Sequence, residues 1–161
     1  MNYSVIVLAA GRGSRTNLDY NKVFYTFENG QTVLNKSLSV FLSDDECKQV
    51  VLVCADYEKD YVNEHYTYDS RIQVVTGGQT RQDSVYNGLQ VVDQDYVMIH
   101  DGARPFVEKN WIFDLKQTLE TESACLLMVP SVDTTKIVVD GYVKESLERK
   151  TCISCPDTAM L

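Results

Sequence analysis

The sequence predicts an α/β domain: a doubly wound, mostly parallel, Rossmann-like sheet with a projecting β-hairpin arm. Three observations point there. Short, near-continuous apolar runs such as residues 3–10 and 48–54 have the composition of strands buried on both faces. Segments with helical spacing of apolar residues separate those runs, and strands joined through helices pair in parallel with right-handed crossovers. Glycine-rich and charged segments follow the apolar runs, where an open α/β sheet binds its ligands.

In chain order, residues 3–10 read as the first buried strand and 11–21 as a loop rich in Gly, Arg and Asn. Residues 23–27 read as a short extended stretch. The turn Asn29-Gly30 then leads into a helix whose Val33, Leu34, Leu38, Phe41 and Leu42 share a face. Strand 48–54 and a tyrosine-rich polar helix 57–66 follow, then strand 71–75. Helix 80–92 opens with Thr80-x-x-Asp83, a capping box with Asp in place of the usual Glu or Gln, and aligns Val85, Leu89 and Val92. Strand 96–100, helix 108–122 and strand 124–129 continue the alternation. Residues 134–139 and 142–147, joined by Asp140-Gly141, read as a hairpin, because Asp-Gly favours the two-residue turn that matches strand twist.

The 161 residues suit one domain with its own core. A net charge of −8, from 15 Lys and Arg against 23 Asp and Glu, argues against nucleic-acid polymers or anionic membranes as partners. The chain shows neither an export signal nor an apolar run long enough to span a bilayer, so a cytoplasmic location is expected. Cys54 and Cys125 sit in apolar runs and read as small buried hydrophobes. Cys152-x-x-Cys155 has the spacing of a zinc pair but lacks a second pair to complete four ligands.

Three strand-end loops carry the chemistry. The first, Leu8-Ala9-Ala10-Gly11-Arg12-Gly13-Ser14-Arg15, can bring backbone N–H groups close to an anion, and Arg15 and Lys22 add cations suited to a polyphosphate. A dinucleotide fingerprint fits worse, since its third glycine is missing and Asp56 lies too far downstream. The second loop, residues 76–84, runs into a helix N-terminus with Gly77, Gly78 and the Ser84 hydroxyl available to a base or sugar. The third is His100-Asp101-Gly102-Ala103-Arg104-Pro105. Asp101 can hold Mg²⁺ or a ribose hydroxyl, Arg104 reads as a loop support acting through Asp101, and His100 reads as a satisfied strand-end histidine rather than a base.

With these motifs in order, and with Asp133-Thr134-x-Lys136 after them, the chain resembles the nucleotidyltransferases that activate sugars and polyols with nucleoside triphosphates. Within them it resembles the cytidylyltransferases acting on 2-C-methyl-D-erythritol 4-phosphate in the non-mevalonate isoprenoid pathway. The ribitol-5-phosphate cytidylyltransferases are the near alternative. The resemblance implies an enzyme that transfers a cytidylyl group from CTP, releases pyrophosphate and uses Mg²⁺ bound at Asp101. It assigns Arg15 and Lys22 as the catalytic cations, and Ala9, Ala10, Gly11, Gly13, Gly78, Ser84, Asp101 and Ala103 to the nucleotide. It assigns Thr134 and Arg149 to the polyol phosphate, on a hairpin arm (residues 133–149) that joins two copies in a homodimer.

Two departures stand out. Asn21 takes the place of the proline usual before the lysine, which is expected to loosen the loop while leaving the cation. Residues 150–161 do not match the family's continuation, so the nucleotidyltransferase domain is expected to comprise residues 1–149, followed by a non-family tail. That pattern suggests a truncated or frame-shifted form, and a catalytically incomplete, nucleotide-binding remnant is the alternative to a working enzyme.

Overall fold

The computed structural model describes residues 1–11, 20–154 and 158–160; Gly13, Arg15 and Cys155, singled out above, lie outside them. The central strand β1 (Tyr3–Leu8) has parallel neighbours on both sides, β2 (Cys47–Cys54) and β4 (Val97–Asp101). The edge strand β3 (Ile72–Thr76) pairs with β2. On the other side β4 is followed by β10 (Thr158–Met160), antiparallel, and then β5 (Cys125–Leu126). The order β3-β2-β1-β4-β10-β5 reverses direction between β1 and β4, which is the topological switch point of a doubly wound sheet.

The double-sided apolar pattern reflects two cores. On one face Tyr3, Val5 and Val7 meet helix α1 (Val33–Leu42) through Leu34, Leu38 and Phe41. Helix α2 (Lys59–Tyr66) adds Val62 and Tyr66, and helix α4 (Lys109–Thr118) adds Ile112 and Leu115. On the other face Ile6, Val51, Val53 and Val97 form a smaller cluster under helix α3 (Arg81–Leu89), with Gly88 lying against Ile6.

Two expectations shift in detail. Residues 22–24 form a 3-10 turn rather than an extended stretch, with only Thr26 bridging to Thr32 as a strand would. The run 124–129 is divided: β5 joins the main sheet, whereas β6 (Val129–Pro130) pairs with β9 (Ile153–Ser154). Residues beyond 149 thus contribute both β9 and β10. The hairpin is as expected, with β7 (Lys136–Val139) and β8 (Tyr142–Ser146) joined by Asp140 and Gly141, both at positive φ (51° and 81°).

At the amino edge of the sheet, Arg71 ties the end of α1 to the start of β2 and β3. Its guanidinium donates to the carbonyls of Leu42 (2.8 Å) and Cys47 (3.1 Å), and pairs with Asp69 at 2.8 Å. The Arg71→Ala variant should lose about 2 kcal/mol of unfolding free energy in a urea titration, because these carbonyls lose a charged donor.

Candidate functional site

The site forms where β1, β2, β3 and β4 end. Leu8 is in register with Val53 on one side and Asp101 on the other. Single backbone bonds launch the three loops from this line. Ala9 N–H donates to the Val53 carbonyl (2.7 Å), Gly77 N–H to the Cys54 carbonyl (2.8 Å) and Gly102 N–H to the Leu8 carbonyl (2.9 Å). The first and second loops touch, since a Cβ added at Gly77 would lie 2.7 Å from the Ala10 Cβ and 3.0 Å from Ser84 Oγ. Only glycine allows that approach.

The second loop is held from within. Thr80 and Asp83 complete the expected capping box, with Asp83 N–H donating to Thr80 Oγ1 (3.1 Å) and Thr80 N–H to Asp83 Oδ2 (3.0 Å). Ser84 is buried; its hydroxyl donates to the Thr80 carbonyl (3.0 Å) and accepts from Gly78 N–H (3.1 Å). One acceptor lone pair of that hydroxyl is left over. Gly78 is exposed and packs so close to Asp83 that a Cβ would fall 2.2 Å from the Asp83 Cβ. Asn87 had no motif to mark it, yet its amide donates to the Thr76 carbonyl (3.1 Å) and fastens α3 to the end of β3.

In the third loop, Asp101 is the electrostatic hub. Arg81 of α3 reaches it with Nε (3.2 Å) and Nη2 (2.9 Å) on one carboxylate oxygen, while Arg104 Nε stands 3.7 Å from the other. The expected Arg104–Asp101 support is therefore present, but Arg81, twenty residues away, is the nearer partner. No periodicity in the sequence joins those two residues. Ala103 packs against the main core.

His100 is fully buried beside Phe41 (ring centroids 5.2 Å apart), and its Nε2 lies 3.1 Å from the Arg104 carbonyl. A carbonyl only accepts, so Nε2 carries a proton. Burial pushes its pKa down to about 4. His100 thus pins the Asp101–Arg104 turn, and it is hydrogen-bonded at the strand end as a satisfied histidine would be.

Lys22 opens the 3-10 turn at the exit of the first loop, preceded by buried Asn21. Ala9 is buried at the loop's start, and Ala10 and Gly11 follow it toward solvent. On the hairpin side, the structure brings Thr134 and Arg149 together, Arg149 Nη2 lying 3.4 Å from Thr134 Oγ1, both exposed. Among the described residues, no group of three or more His, Cys, Asp or Glu could hold a metal by protein ligands alone.

The family model described as IspD, 2-C-methyl-D-erythritol 4-phosphate cytidylyltransferase, matches residues 3–155. The chain belongs to that family. It is 38% identical over 151 residues to the 2-C-methyl-D-erythritol 4-phosphate cytidylyltransferase of Bacillus mycoides (strain KBAB4), covering 91% of this chain and 66% of the relative. To that of Clostridioides difficile (strain 630) it is 40% identical over 153 residues, covering 91% and 64%. The chain thus spans just under two thirds of the length of these two IspD relatives. Two solved structures share the fold. The 4-diphosphocytidyl-2C-methyl-D-erythritol synthase of Anaerococcus prevotii superposes with a TM-score of 0.84 at 27% identity, over 99% of this chain and 69% of that one. The Francisella tularensis IspD gives 0.82 at 31%, over 99% and 72%.

The buried histidine has a consequence for acid stability. Its folded pKa, about 4, lies below the ordinary 6.5, so the unfolded chain takes up the proton first and stability falls as pH drops through that window. Urea unfolding between pH 7 and pH 4 should show the wild type losing about 3 kcal/mol more than a His100→Gln variant. Glu58, whose carboxyl burial pushes upward, works in the opposite direction but is common to both proteins and cancels.

Proposed function

We propose that the chain transfers a cytidylyl group from CTP to 2-C-methyl-D-erythritol 4-phosphate and releases pyrophosphate. The observation that carries this reading is the meeting of three loops at the β1–β4 switch point, with Asp101 between two arginines, in a chain of the IspD family. Relatives bearing the name of that activity support the choice of substrates.

The reaction needs positioning and charge compensation rather than a nucleophilic side chain. A phosphate oxygen of the polyol phosphate attacks the α-phosphorus in line; the new P–O bond forms as the bond to the β-phosphate oxygen breaks, and pyrophosphate leaves. Both reactants are anions, so fixed cations lower the barrier. Lys22 takes that role at the loop exit, with Arg15 assigned to it by family resemblance. The backbone of Ala9, Ala10, Gly11 and Gly13 cradles the triphosphate, and the loop through Gly78 and Ser84 faces the cytosine. Asp101 and Ala103 flank the ribose, while Thr134 and Arg149 hold the polyol phosphate.

A single carboxylate with the phosphates of the substrate is a donor set suited to Mg²⁺, which keeps few protein ligands. Asp101 would hold the ion, which supplies charge neutralisation on the triphosphate. Arg81 and Arg104, both exposed, flank Asp101 and add positive charge beside it.

Every residue of β7 and β8 is exposed, and the pair Val138–Val143 faces solvent from a two-stranded ribbon that is marginal alone. A second copy of the arm is the natural cover, giving a homodimer. No helix among the described residues is long and apolar enough to cross a membrane.

Pyrophosphate release is measured with CTP, Mg²⁺ and either 2-C-methyl-D-erythritol 4-phosphate or ribitol 5-phosphate. The methylerythritol substrate should be the faster, and Lys22→Ala should lower the rate at least about 100-fold. A faster reaction with ribitol 5-phosphate would redirect the assignment. CTP binding without release from either polyol would mark a nucleotide-binding remnant. For assembly, sedimentation of the wild type should give a dimer and that of Val143→Asp a monomer with an intact fold; a monomeric wild type would remove the arm's proposed role.

A further inference from the structure

Asn21 is a buried polar residue that none of the three loop motifs contains. Its side chain makes three hydrogen bonds. Nδ2 donates to the Ala9 carbonyl (2.7 Å) and to Glu58 Oε2 (3.2 Å), and Oδ1 accepts from Val23 N–H (3.3 Å). Each bond reaches a different part of the molecule. Ala9 is where the first loop leaves β1, Glu58 lies in the 3-10 turn Asp56–Glu58 that follows β2, and Val23 is the second residue of the turn that presents Lys22. Asn21 and Glu58 are only 5% and 8% exposed, so these bonds are shielded from competing water.

The topology gives this cluster its meaning. Ala9 and Asn21 are the two ends of the segment that carries Arg12, Gly13 and Arg15, and the 2.7 Å bond fixes those ends together across twelve positions. The bond to Glu58 anchors the closed base to the neighbouring strand's exit, and the bond from Val23 N–H caps the turn so that Lys22 is its first residue. Asn21 has φ −65° and ψ 125°, the φ that a proline ring imposes covalently. At this position hydrogen bonds hold the backbone angle that a ring would impose.

We infer that Asn21, anchored by Glu58, is a positioning residue that fixes Lys22 for the triphosphate. The inference rests on the proposed nucleotide-binding role of Lys22 and adds to it the residue pair that sets where that cation stands.

Binding of CTP with Mg²⁺ is measured by titration calorimetry on the full chain as wild type, Asn21→Ala, Lys22→Ala and the double variant. Asn21→Ala should weaken binding about tenfold, the scale set by losing a buried hydrogen bond. If it acts through Lys22, the loss should vanish in the Lys22→Ala background. A purely structural weakening would be the same in both backgrounds. Wild-type affinity in Asn21→Ala, or an equal loss on top of Lys22→Ala, overturns the inference. Should circular dichroism show Asn21→Ala unfolded, Glu58→Ala replaces it; about a threefold loss, again absent without Lys22, is expected, and unchanged affinity overturns the inference. Full CTP affinity in Lys22→Ala alone refutes instead the phosphate-binding role given to that lysine.

Discussion

Strand β1 being bonded on both sides is the constraint from which the rest of the molecule follows. A strand with parallel neighbours on each edge and helices over each face has no surface left for water, so every one of its residues but the last is buried. Its register then brings Val53, Leu8 and Asp101 into line, and with β3 paired beside β2 the loops after β1, β3 and β4 all leave from the same end of the sheet. The site is thus a consequence of how the sheet is wound: the loops are distant in sequence, and the order β3-β2-β1-β4 makes them neighbours.

Charge is distributed unevenly around the same place. A chain with an excess of acidic residues opposes any anion with its own field, and Lys22, Arg81 and Arg104 are gathered at one end of the sheet. Arg81 and Arg104 share Asp101 as a common partner, which holds two guanidinium groups in place. Exposed pairs of this kind add little stability. They tie the start of α3, through Arg81, to the third loop, whose Arg104 carbonyl is met from beneath by buried His100.

Much of this was legible in the sequence. The apolar runs gave β1 and β2 because two-sided burial leaves an unmistakable composition, and Asp140-Gly141 gave the hairpin because few residue pairs accept positive φ twice in succession. Thr80 and Asp83 gave the start of α3, since a cap is a local bond between nearby residues. What escaped was set by distance. Val23 to Phe27 has the apolar character of a strand, but Lys22 to Phe24 closes into a turn capped by Asn21, and Thr26 makes a single bridge to Thr32. The run around Leu127 looks continuous, yet its two halves pair with different strands, a choice made by residues beyond 149. The Arg81–Asp101 pair and the Asn21–Glu58 bond link residues twenty and thirty-seven positions apart, which no periodicity encodes.

The way Asn21 holds its backbone has a thermal meaning as well. A proline ring restricts the chain whether it is folded or not, and so acts largely by impoverishing the unfolded ensemble. A side chain that holds the same angle through three hydrogen bonds acts only once its partners have assembled, and its grip slackens on warming while a ring's does not. The backbone angle just before Lys22 is therefore held by the fold rather than by covalent geometry, and it is released once those partners separate.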